Sequence, residues 1–150
     1  QPLKGTVVSA PAARLLMASA RHTIRARTPR QSTALAALRR IDNILKALYW
    51  ADWTSEPTII AERRQIVEEQ RGYLMHALAA VAATGHPTLA ERARHLLGEA
   101  ERAWDGLDPK AAASSEFVAD AARTWVEHLR DAVEVSPAIA EAVAAVLPAT

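Results

Sequence analysis

The sequence predicts an all-α domain: an up-and-down bundle of about five to six helices with no sheet. Three observations carry that prediction. The 150 residues include 34 Ala, with Leu, Glu and Arg abundant and only 5 Gly, and these abundant types are strong helix formers. Six helix-start signals recur along the chain, four of them with a proline: Pro11 two residues after Ser9, and Pro29, Pro57 and Pro137 directly after Thr28, Glu56 and Ser136. Apolar residues repeat at spacings of 3, 4 and 7, and no segment sustains the period-two alternation of a strand.

The elements follow in order, with ends good to about two to four residues. Residues 1–9 read as an extended or flexible lead-in to a single domain spanning 1–150. A helix over 10–27 follows Ser9 and Pro11 and sets Leu15, Leu16 and Ile24 opposite Arg14, Arg21 and Arg25. The next, over 29–53, opens on Thr28-Pro29-Arg30-Gln31, a capping box in which Thr28 caps and Gln31 reaches back. Its core stripe is Leu38, Ile41, Leu45 and Leu48.

A long helix over 57–84 opens after Ser55-Glu56-Pro57 and carries two stripes at spacing 7, Ile59–Ile66–Tyr73 and Val67–Leu74–Val81. Gly85 is expected to stop it in the left-handed conformation that Gly adopts cheaply. Thr88-Leu89-Ala90-Glu91 reads as a second capping box, opening a helix over 88–105 with Leu89, Leu96, Leu97, Ala103 and Trp104 inward and Gly106 at its end. Ser115 and Glu116 open a helix over 115–134 whose stripe is Val118, Ala122, Trp125, Leu129 and Ala132, and Ser136-Pro137 opens the last, over 137–147. Short connections make consecutive helices antiparallel neighbours.

Composition excludes several functions. With no Cys there is no disulfide scaffold, thiolate metal site, iron–sulfur cluster or Cys nucleophile. The five histidines, His22, His76, His86, His95 and His128, fall on different segments with no paired ligand spacing, so no metal site is expected, and no cofactor is implied. No apolar run approaches the roughly 18 residues that span a bilayer, so no transmembrane segment is expected. Residues 1–5 lack the apolar core of a signal peptide, and with Gln1 first the chain reads as a processed or excised product. The cytoplasm is the default compartment and a secreted effector the alternative. Oligomeric state does not follow from the sequence.

Charge is polarised. Residues 1–50 hold nine basic side chains and one acid, Asp42, whereas residues 51–150 hold nine basic and sixteen acidic ones, giving +8 and −7 and a net charge of +1. Arg14, Arg21 and Arg25, spaced 7 and 4, fall within about 40° on a helical wheel, and Arg27, Arg30, Arg39 and Arg40 follow. These guanidinium groups either bind an anionic surface, membrane lipid or nucleic acid, or pair with the acidic later helices of the same domain.

Tyr49, Trp50 and Trp53 place three aromatic rings within five residues. Helical spacing puts Tyr49 and Trp53 on one face and Trp50 about 100° away, so the rings cannot all face one narrow core stripe. An exposed ring there would be an interface anchor, rimmed by Arg39, Arg40 and Lys46.

Arg123 and His128 form an Arg-x4-His pattern, as do Arg71 and His76. The first resembles the signature of the HEPN ribonucleases, small helical bundles that cleave RNA without metal. The resemblance implies a histidine acid–base group and an arginine phosphate stabiliser in a dimer cleft. Thr124 stands where that family carries Asn or Asp. His128 shares a face with Trp125 and Ala132, which reads as the margin of a core. Trp104-Asp105-Gly106 resembles the Trp-x-Gly turn of small helical-hairpin secretion substrates, although the preceding helix is short and the tail lacks Tyr.

No residue is assigned a catalytic role. The expected function is a non-enzymatic helical interaction module of adaptor, regulatory or secreted-effector type with a protein partner, using Tyr49, Trp50, Trp53, Arg39, Arg40 and Lys46. The alternative is an anionic-surface binder using Arg14, Arg21, Arg25, Arg27 and Arg30, and a further one is a HEPN-like metal-independent ribonuclease.

Overall fold

A computed structural model describes residues 26–105 and 116–149, with side chains described outside 103–105 and 116–119. Five helices account for most of these residues: α1 Pro29–Tyr49, α2 Pro57–Ala82, α3 Pro87–Asp105, α4 Glu116–Val135 and α5 Pro137–Ala144. No strand occurs among the described residues, so the all-α prediction holds. The lead-in over 1–9, most of the expected helix over 10–27, Gly106 and Ser115 lie outside the described residues.

Local chemistry explains where the helices begin. The Thr28 hydroxyl accepts from the Gln31 N–H at 3.2 Å, and the Gln31 side chain accepts from the Thr28 N–H at 2.9 Å. That closes the predicted capping box and satisfies two otherwise orphaned donors. Ser136 caps α5 by accepting from the Ile139 N–H at 3.2 Å. The start of α3 differs from the second predicted box. Pro87 takes the first helical position, Thr88 falls inside the first turn, and His86 acts as the cap, its Nδ1 accepting from the Leu89 N–H at 3.3 Å.

Two predicted ends also need correction. Gly85 does not take the left-handed conformation, since no described residue has positive φ. The last carbonyls of α2 are met instead by Ala83 and by Thr84, whose hydroxyl donates to the Val81 carbonyl at 2.6 Å. α1 stops at Tyr49, four residues before the predicted 53. Trp50 and Ala51 close its last turn onto the Lys46 and Leu48 carbonyls at 3.0 and 3.3 Å. Leu48, expected in the core stripe, and Tyr49 are only half-buried, so beyond Leu45 little burial rewards another turn.

One continuous core joins the helices. Ala34, Leu38, Ile41 and Leu45 from α1 meet Leu74, Ala77, Leu78 and Val81 from α2, and Trp125, Val126, Leu129 and Val133 from α4. α5 is only 8 residues long, yet Ile139, Ala140 and Val143 are almost wholly buried, so it plugs the core between α1, α2 and α4. The most extensive packing is α1 on α4, then α2 on α3, whereas the sequence neighbours α1 and α2 touch only slightly.

α1 and α4 run antiparallel. Gln31, at the start of α1, donates through Nε2 to the Val133 carbonyl at the end of α4 (2.9 Å), while Tyr49, at the end of α1, lies against Arg123 in the first half of α4. Of the two stripes predicted on α2, Val67–Leu74–Val81 is core; Ile59 and Ile66 are surface residues, and Tyr73 is half-buried.

Candidate functional site

The aromatic cluster sits where α1 ends and the chain crosses to α2. Trp50 is 77% exposed and Trp53 is 84% exposed, so neither indole belongs to the core. Tyr49 is half-buried, and its ring meets that of Trp50 edge-on, with centroids 4.8 Å apart and planes at 90°. This is a favourable quadrupolar geometry that holds Trp50 in place without covering it. The Arg123 guanidinium stands 5.9 Å from the Tyr49 centroid, within cation–π range, and also pairs with Asp120 at 2.8 Å.

Trp53 lies in the non-helical connection, so the face predicted to hold both Tyr49 and Trp53 does not exist. That connection is pinned at both sides of Trp53. The Asp52 carbonyl accepts from Arg63 at 2.9 Å, and the Thr54 hydroxyl accepts from the Glu56 N–H at 3.1 Å.

Behind Trp50, Arg39 and Lys46 precede it by 11 and 4 residues, which places all three positions within about 40° of helix circumference. Arg39 and Lys46 face α4 across the seam between the two helices, which opens into a groove of about 580 Å³, and Trp50 lies beyond its Lys46 end. Arg39, Asp42 and Lys46 line it from α1, Arg130 and Glu134 from α4, and Arg27 at its far end. Two of the cations are already matched. Lys46 pairs with Asp42 at 2.8 Å, and Arg27 pairs with Glu134. Arg39 and Arg130 are exposed and have no ion-pair partner among the described residues.

Arg40 is exposed but does not line the groove, so the structure separates it from Arg39 and Lys46. Arg130, on the opposite wall, was missed by sequence reasoning. Nothing in the sequence signals that α4 rather than α2 lies beside α1.

The arginines of the anionic-surface alternative divide. Arg14, Arg21 and Arg25 lie outside the described residues. Arg27 pairs with Glu134 of α4, and Arg30 pairs with Glu141 of α5 at 3.5 Å. At these two positions, acids of the later helices within the same chain meet the basic side chains.

The Arg-x4-His pair is not brought together. Arg123 is directed to Asp120 and the Tyr49 ring. His128, five residues on, is only 6% exposed, and its Nε2 has no hydrogen-bond partner. Burial, with the nearby positive charge of Arg92, lowers the His128 pKa from its ordinary value, against smaller opposing influences from Asp131 and the Leu89 carbonyl. A closed histidine of this kind is a core-margin residue in this arrangement. Trp104 and Asp105 end α3 with side chains outside the description.

Among the described residues no group of three or more His, Asp or Glu could hold a metal ion, and no helix is long and apolar enough to cross a membrane. No known protein family, curated protein or solved structure is detectably similar to the chain.

Proposed function

We propose that this domain is a helical interaction module that binds a protein partner, with Trp50 and Trp53 as apolar anchors and Arg39 and Lys46 as the adjoining cationic rim. The observation that carries the reading is the exposure of two neighbouring indoles, 77% and 84%, on a connection tied down by hydrogen bonds between side chains and backbone. Large aromatic rings contribute most of their binding energy when a partner covers them, and their rigidity keeps the entropy cost of ordering low. The adjoining cations supply steering and register.

The test separates binding from folding. Trp50→Ala and Trp53→Ala should each melt within a degree or two of wild type, because surface substitutions usually change stability by no more than about 0.5 kcal/mol. With a partner in hand, Trp50→Ala should weaken binding by about 2 kcal/mol or more, and Arg39→Ala should mainly slow association. If both tryptophan variants melt far below wild type, the rings are structural and this reading fails.

A further inference from the structure

We infer that the groove between α1 and α4 is the seat of an acidic segment of the partner protein, whose carboxylates are held between Arg39 and Arg130 while an apolar side chain of the same segment covers Trp50. This rests on the interaction-module reading and adds to it the chemistry of the partner and a second helix, α4, to the binding surface.

The charge pattern selects the occupant. The groove lining contains Arg27, Arg39, Lys46 and Arg130 against Asp42 and Glu134. Two of these cations are neutralised within the groove by those two acids, which leaves Arg39 and Arg130, one on each wall. A guanidinium recognises a carboxylate through a fork of parallel N–H donors, so opposed arginines form a clamp for one or two carboxylates.

A nucleic-acid backbone suits this lining less well. Its charges repeat every few ångströms along a strand, and in the groove they would meet Asp42 and Glu134 as well as the arginines. A peptide can carry carboxylates only where the clamp needs them. Residues 1–25 of this chain carry four Lys or Arg and no Asp or Glu, so they offer the clamp no carboxylate side chain.

The geometry also sets spacing. Arg39 and Trp50 are 11 residues apart, about 16 Å along a helix rising roughly 1.5 Å per residue. An acidic helix lying in the groove should therefore show an apolar residue and a carboxylate pair about 11 positions apart; an extended chain would need about five.

The probes are two fluorescein-labelled helical peptides of about 18 residues, one for each chain direction. Each has a leucine pair at one end and a glutamate pair about 11 positions away, and each has a Glu→Gln counterpart. The whole protein is titrated by fluorescence anisotropy, and circular dichroism melts check each variant. One glutamate peptide is expected to bind at least tenfold more tightly than its glutamine counterpart. Arg39→Ala and Arg130→Ala should each weaken it at least fivefold, while Arg94→Ala, on α3, should not.

The inference is overturned by equal binding of the glutamate and glutamine peptides, by no binding of either, or by an unchanged Arg130→Ala variant. If Trp50→Ala still weakens binding in that last case, the interaction-module reading survives without the groove. If Arg130→Ala weakens binding and Trp50→Ala does not, the clamp stands and the aromatic anchor fails. Tighter binding of a single-stranded oligonucleotide than of any peptide, lost steeply with salt, assigns the groove to phosphate and also overturns the inference.

Discussion

The two ends of the α1–α4 pair are built differently. At one end the start of α1, the end of α4 and α5 close on each other. Gln31 is buried, and its amide completes the capping box while bridging to the Val133 carbonyl; Arg27 and Arg30 reach Glu134 and Glu141 around it. At the other end, no residue between Leu45 and Val67 is buried. That stretch holds Trp50, Trp53, Ile59 and Ile66, the large apolar side chains a core would be expected to claim. One end spends its polar groups on closure, although Val135 stays exposed there, and the other leaves two indoles in water. An exposed apolar cluster on a helical scaffold is a place where a second surface gains by covering it.

The largest effect expected from this contrast is in the closed part of the core. Leu38 and Leu74 are fully buried, and Leu→Ala at such positions costs about 2–5 kcal/mol because the site collapses only in part. Leu38→Ala and Leu74→Ala should each lower the urea midpoint strongly. If either loses less than about 1 kcal/mol, the contrast between the ends is overstated.

His128 sharpens the comparison through pH. Its pKa in the folded chain lies below the ordinary value of 6.5, so the unfolded chain takes up the proton first as pH falls. Stability is therefore full above about pH 7.5, declines as pH passes through 6.5, and stops declining once the folded value is reached. Arg92 on α3 opposes the new charge, and Asp131 on α4 only partly offsets it. Urea unfolding at pH 7.5 and pH 5 should show a loss in wild type that shrinks in His128→Leu, a swap expected to cost under about 1.5 kcal/mol at the higher pH. An equal loss in both proteins would show that the proton acts elsewhere.

Much of the fold is legible in the sequence. Pro29, Pro57 and Pro137 open three of the five described helices as expected, because a residue without an N–H is free of cost at the first helical position; Pro87 opens a fourth, where Thr88 was expected to cap. Of the predicted stripes, Leu38, Ile41 and Leu45 are core but Leu48 is only half-buried, and Ala122, Trp125, Leu129 and Ala132 are core while the Val118 side chain lies outside the described residues. What periodicity does not encode is which stripe finds a neighbour. Ile59–Ile66 and Val67–Leu74 have the same spacing, but only the second lies where other helices pack.

The site was half legible for the same reason. The Trp50 cluster and Arg39 lie close together in sequence, whereas Arg130 reaches the groove only because α4 packs beside α1. The end of α1 was placed too late because Tyr49, Trp50 and Trp53 look like a continuing apolar face until burial is known.

A smaller effect is expected at the closed end itself. Thr28→Ala removes the hydroxyl of the capping box and should cost about 1 kcal/mol, in the usual range for a cap. The same change at Thr54, whose hydroxyl holds a single N–H in the open connection, should cost less. Paired thermal melts test the difference, and a larger loss at Thr54 would reverse the ranking of the two ends.

The smallest effect is expected at Ile59 and Ile66, each 37% exposed. Both lie on the first half of α2, before its first buried residue, Val67. Gln is at least as good a helix former as Ile, so Ile59→Gln and Ile66→Gln test burial with little confounding change in helix propensity. Each should alter stability by no more than about 0.5–1 kcal/mol, well below Leu74→Ala on the same helix. The double variant should be close to the sum, since the two side chains share no core neighbour whose packing would couple them. A loss at Ile66 comparable to that at Leu74 would mean that this stripe is covered in the folded protein. The open end would then be a second closed one, and the indoles beside it would belong to the same packed surface.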